Sequence, residues 1–115
     1  MISVLKEHYN GIYRVSLDTD NAHRILMPSY LGYKEDEENF SKLLKKYIHD
    51  IVHSDFHRAV MSFLNYDAIK RHISEGKTPS ITYKKVNGET VILSVYNLTE
   101  DKDNVKDTLW VFARE

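Results

Sequence analysis

The stretch Phe40-Ser41-Lys42-Leu43-Leu44-Lys45-Lys46-Tyr47-Ile48-His49-Asp50-Ile51 carries its apolar side chains at i, i+3, i+4, i+7, i+8 and i+11. That repeat builds one face of an α-helix. Asp36, Glu37 and Glu38 precede it, where negative charge complements the positive end of the helix dipole. On either side the period is two. Upstream, Tyr13, Val15 and Leu17 alternate with Arg14 and Ser16. Asp18-Thr19-Asp20-Asn21 reads as a turn, and His23, Ile25 and Met27 continue as a second strand ending at Pro28. These two strands are expected to form a hairpin.

Downstream, Ser54 or Asp55 reads as the N-cap of a further helix containing Phe56, Val60, Phe63 and Leu64. Asn65-Tyr66-Asp67 interrupts it, and Ala68, Ile69 and Ile73 make another short helix stopped by Gly76 and Pro79. Ile81 and Tyr83 then alternate in a strand. Asn87-Gly88 predicts a type I′ hairpin turn, which needs positive φ at both positions. Thr90–Leu98 and Thr108–Ala113 complete the strands, with the charged loop Glu100–Lys106 between them. Met1–Tyr9 reads as a short leading helix broken by Gly11. The fold class that follows is α+β: a five-stranded antiparallel sheet with helices packed on one face. The chain divides into a leading helix or linker at 1–10 and one domain at 11–115, with no internal repeat.

At 115 residues the chain is long enough for a single core. Sixteen basic against seventeen acidic side chains, a net charge of -1, give no bulk attraction to nucleic acid or anionic membrane. No apolar run approaches the ~18 residues of a spanning helix, and 1–10 is too polar for a signal peptide, so a cytoplasmic location is expected. Cysteine is absent, which excludes disulfides, cysteine–zinc sites, iron–sulfur clusters and thiol nucleophiles.

The order of elements and three local motifs resemble a PAS domain, in particular the modules that precede diguanylate cyclase (GGDEF) domains in bacterial signalling proteins. Asn10-Gly11-Ile12-Tyr13-Arg14-Val15-Ser16-Leu17-Asp18-Thr19-Asp20 resembles the family's opening strand and Asp-Thr-Asp turn. Val52-His53-Ser54-Asp55-Phe56-His57-Arg58 resembles its Val-His-Pro-Asp-Asp-Arg helix start, with Ser54 in place of proline and Phe56 in place of the second aspartate. Glu75-Gly76 through Tyr83, with Asn87-Gly88-Glu89, resembles its third and fourth strands. The resemblance covers Leu5 to Ala113. It implies a non-catalytic sensory or regulatory module, a piece of a longer protein, that binds a small cue or a second copy of itself and shifts a downstream output domain. A histidine kinase parent is the alternative within that class.

Specific chemistry finds little support. His49, His53 and His57 are spaced four apart, but the helix start at Ser54-Asp55 divides them, so no metal is expected there. In the resemblance the residue matching His53 is structural. His72 sits beside Lys70 and Arg71 as a surface residue, and haem is not expected. A flavin photoadduct needs the missing cysteine. The serines lack a nucleophile-elbow context, and no glycine-rich phosphate loop or cyclase motif is present. The runner-up from another class is a small pocket enzyme of the ketosteroid-isomerase type, which needs a carboxylate inside an apolar cavity. A pure dimerisation module is a third reading.

Eight tyrosines are the unusual feature of the composition. Each combines apolar area with one polar tip, which suits a pocket that orients a small molecule. The residues read as lining such a pocket are Tyr13, Met27, Tyr30, Phe63, Tyr83 and Tyr96. The last strand is apolar on both sides: Trp110 and Phe112 share one face, Leu109, Val111 and Ala113 the other. Only one face can lie under the helices. Trp110 and Phe112 are read as the outer face, covered by Ile2, Val4 and Leu5 of the leading helix and by a second copy of the chain.

Overall fold

The computed structural model describes residues 9–26 and 36–115. The reading of Ile2, Val4 and Leu5 as a docked helix falls outside them, as do the pocket residues Met27 and Tyr30. Strand β1 (Tyr9–Ser16) starts within the segment read as a leading helix, so Tyr9 and Asn10 belong to the sheet. Gly11 does not end a helix. It lies in β1 where the register against the last strand shifts, as glycine does at a bulge.

β2 (Asn21–Leu26) returns antiparallel to β1, and a two-residue strand β3 (Asp36–Glu37) extends that edge. Helix α1 (Phe40–Asp50), a 3-10 turn (Ser54–Phe56), α2 (His57–Phe63) and α3 (Tyr66–Ser74) follow. β4 (Ser80–Lys84), β5 (Thr90–Asn97) and β6 (Asp107–Arg114) close the chain. Five main strands and the two-residue β3 at one edge form one antiparallel sheet in the order β3-β2-β1-β6-β5-β4. The last strand therefore lies at the centre, between the first strand and the β4–β5 hairpin. Alternate residues of β5 and β6 are buried, and Phe40, Leu44, Ile48, Val60, Ile69 and Ile73 cover that side from the helices. The helices thus pack on one face, as the sequence predicts.

Helix starts differ from the sequence reading. Asp36 and Glu37 are in β3, and the first turn of α1 carries no acid. Its cap comes from the distant β1–β2 turn. Asp20, at φ 58°, accepts from Phe40 N–H through its carbonyl (2.8 Å) and from Ser41 N–H through its carboxylate (2.9 Å). The 3-10 turn is capped by His53, not by Ser54 or Asp55: His53 Nδ1 accepts from Asp55 N–H at 3.2 Å. α3 begins at Tyr66 because Asn65 Oδ1 accepts from Asp67 and Ala68 N–H.

The β4–β5 turn is a three-residue loop and not type I′. Gly88 N–H bonds to the Lys85 carbonyl and Gly88 has φ 90°, while Asn87 is not in the positive-φ region. Asn87 Oδ1 instead accepts from Glu89 N–H. Gly88→Val is expected to cost about 1 kcal/mol or more, since a β-branched residue resists that φ. Nothing lies within 4 Å of an added Cβ, so the cost is conformational, and Gly88→Ala should show most of it. An unchanged midpoint of urea unfolding for both variants would contradict the assignment.

Candidate functional site

Between the helices and the sheet lies a cluster of aromatic rings. Tyr13 is buried against Phe40 and Phe112, with ring centroids 5.5 and 6.0 Å away. Tyr83 is buried and its hydroxyl lies 2.6 Å from that of Tyr47, which also packs edge-on against Phe112. Phe63 is half-buried and packs on the same core. The structure thus brings Tyr13 and Tyr83 of the expected pocket into the helix–sheet interface and adds Tyr47. The sequence shows Tyr47 only as part of an apolar helix face. Tyr96 is a correction: it is 46% exposed and lies on the opposite side of the sheet, because it follows the buried Val95 in an alternating strand.

Trp110 and Phe112 are the second correction. Trp110 is fully buried and stacks edge-on against Phe40 of α1 and Tyr66 of α3, at 5.5 and 6.2 Å. Its indole Nε1–H donates to Thr108 Oγ1 (2.8 Å), whose hydroxyl donates to the Val15 carbonyl (3.0 Å). These residues anchor the helices and do not form the outer face. Thr108 is the buried polar side chain among the described residues. The ring cluster is consistent with an interior filled by its own side chains.

Burial pushes the hydroxyl pKa of Tyr83 well above its ordinary value, with the neighbouring Tyr47 hydroxyl adding to the effect. Burial also raises that of Tyr66, reinforced by the hydrogen bond to Asp20. A phenol of this kind stays neutral in the fold at a pH where the unfolded chain's phenol ionises. The stability it contributes is complete below pH ~10 and is lost as pH rises further. Urea stability is therefore expected to fall above pH ~10, and Tyr83→Phe to fall less steeply over that range. Equal slopes for the two proteins would remove Tyr83 from this account.

The three spaced histidines have separate partners. His49 Nδ1 lies 2.9 Å from Asp50 Oδ1, His53 caps the 3-10 turn, and His57 Nε2 donates to the Val52 carbonyl at 2.7 Å. No group of three or more metal-ligating side chains is found among the described residues.

The outer side of the sheet carries the remaining apolar surface. Ile12 pairs with Val111, Ala113 with Ile92, and Leu109 with Tyr96, so these side chains share one face across β1, β6 and β5. Ile12, Ile92, Leu109, Val111 and Ala113 are half-buried, and Ile25 on β2 is 55% exposed. Next to this stripe the face turns polar. Arg14, Ser16, Asn21, His23 and Asp107 line an open groove of about 390 Å³, with Arg14 Nη2 3.5 Å from Asp107 Oδ2. Among the described residues no helix is long and apolar enough to cross a membrane. No family model, curated protein or solved structure matches the chain.

Proposed function

We propose that this chain is a PAS-like regulatory module that performs no catalytic step and works by pairing with a second copy through the outer face of its sheet. The observation that carries this reading is the apolar stripe of Ile12, Ile92, Leu109, Val111 and Ala113 on a face that no helix of the described residues covers. Soluble monomers rarely leave a contiguous apolar patch of this kind bare. The order of a strand pair with a short third strand, then helices, then three strands supports the PAS resemblance, as does the placement of the helices on one face. In this reading the module is cytoplasmic and its pairing brings two output domains together, a diguanylate cyclase being the output that the local motifs favour. A cue drives output only through a difference in its affinity for two states of the pair.

Sedimentation equilibrium tests the pairing. The chain is expected to be a dimer at micromolar concentration, and Leu109→Glu/Val111→Glu a monomer with an unchanged circular dichroism spectrum. Removal of residues 1–8, which leaves β1 whole, reports whether that segment strengthens the pair. A monomeric parent chain would overturn the reading.

A further inference from the structure

Helix α1 turns Phe40, Leu44 and Ile48 into the core and leaves Lys42, Lys45, Lys46 and His49 exposed. Their spacing of i, i+3, i+4 and i+7 stacks them in one stripe about 10 Å long. Among the described residues, Lys42, Lys45 and Lys46 make no ion pair. Lys70, Lys77, Lys85, Arg14 and Arg114 each have a carboxylate within 3.7 Å, while Arg58, Arg71, Lys84, Lys102 and Lys106 also make no ion pair but are scattered over α2, α3, β4 and the β5–β6 loop. Like charges at these spacings weaken a helix, and Lys42 adds positive charge to the first turn, where the dipole is already positive. The stripe therefore works against the stability of its own helix. Three of the unpaired lysines among the described residues thus stand within two turns of one helix, in a chain of net charge -1.

We propose that the exposed face of α1 is a docking surface for an acidic amphipathic helix of a partner protein, with carboxylates at the matching helical repeat. Opposed charge rows steer and register such a contact. The rod is held in place before the partner arrives. Asp20 ties its first turn, and past its last turn the Ile51 carbonyl accepts from Val86 N–H while His53 N–H donates to the Lys84 carbonyl. A nucleic acid is disfavoured by the net charge. An anionic bilayer is disfavoured because Ser41 and Asp50 border the stripe, where membrane-surface helices carry apolar groups for insertion. The surface lies on the helix layer, on the side of the sheet opposite the proposed dimer face, so the two readings stand or fall separately.

Fluorescence anisotropy with a dye-labelled, alanine-based peptide of about 20 residues, with glutamates at i, i+3, i+4 and i+7, tests it directly. Saturable binding is expected, weakening about tenfold or more between roughly 50 and 200 mM salt. Lys42→Gln/Lys45→Gln/Lys46→Gln should weaken it by a further factor of about ten, with the fold checked by circular dichroism. The single variant Lys45→Gln should show a several-fold loss and carries the test if the triple variant does not fold. The proposal is overturned by equal binding of a peptide with glutamine for glutamate, or by lysine variants that bind like the parent. Tighter lysine-dependent binding to phosphatidylserine vesicles or single-stranded DNA would also overturn it.

Discussion

Trp110→Ala is expected to lower the free energy of unfolding by about 3–5 kcal/mol, the range for removing a large buried aromatic side chain. Trp110 is fully buried at the centre of the sheet and is the ring on which both α1 and α3 rest, through Phe40 and Tyr66. Its loss leaves a cavity under two helices and removes the N–H that bonds to Thr108. Domains of this size are stable by only about 5–15 kcal/mol, so the variant should be near its folding threshold at room temperature. Val111→Ala, one residue along on the outer face, should cost about 1 kcal/mol or less when measured at a dilution where pairing does not contribute. Urea unfolding of both variants gives the comparison. Similar losses would mean that the two faces of β6 do not differ in their cover.

Asp20→Ala is the second large effect, expected at about 2–4 kcal/mol. One carboxylate serves two helices. It accepts from Ser41 N–H and from the Ser41 hydroxyl at the start of α1, and from the Tyr66 hydroxyl of α3. Loss of an N-cap typically costs about 1 kcal/mol, and a hydrogen bond to a charged group is worth about 1.5–3 kcal/mol. Alanine also resists the left-handed backbone that Asp20 adopts at φ 58°. Asp20→Asn tolerates that conformation and keeps one acceptor oxygen, so it should cost about half as much. Tyr66→Phe removes one of the three donors and should cost about 1–2 kcal/mol. Thermal unfolding of the three variants should place Asp20→Ala well below the other two, which should lie close together. A silent Asp20→Ala would show that α1 holds its start without help from the hairpin.

The candidate surfaces were legible in the sequence only in part. The alternation in Thr108–Ala113 reveals that both faces of the last strand are apolar, but a period of two is symmetric and carries no label for inside and outside. The volume of Trp110 fits beneath helices that arrive from two other parts of the chain, and this packing is what assigns the faces. The side of Tyr96 is hidden for the same reason: its neighbours Val95 and Asn97 do not say which side the helices take. Tyr47 belongs to a helix stripe that reads as plain core, and nothing in the stripe shows that its hydroxyl meets that of Tyr83 on β4. Asp20 reads as one more turn residue, since its partners are 21 and 46 positions away.

By itself the sequence determined the order of the five main strands and of the helices between them, the antiparallel sheet, the apolar face of α1 and the stop of α3 at Gly76; it missed the short β3 and placed Tyr9 in a helix. It also determined the glycine at positive φ in the β4–β5 hairpin. Each of these rests on repeats or backbone preferences within a few residues, where physics is local. The tertiary structure alone decided that β6 lies at the sheet's centre, that Trp110 faces the helices and that Asp20 caps α1. It also decided that the cap before α2 is His53, and that the Asn87-Gly88 turn closes as a three-residue loop. These depend on which distant groups meet. Unsatisfied helix N–H groups and buried rings take whichever partner the packed chain brings within reach, and no local pattern specifies that partner.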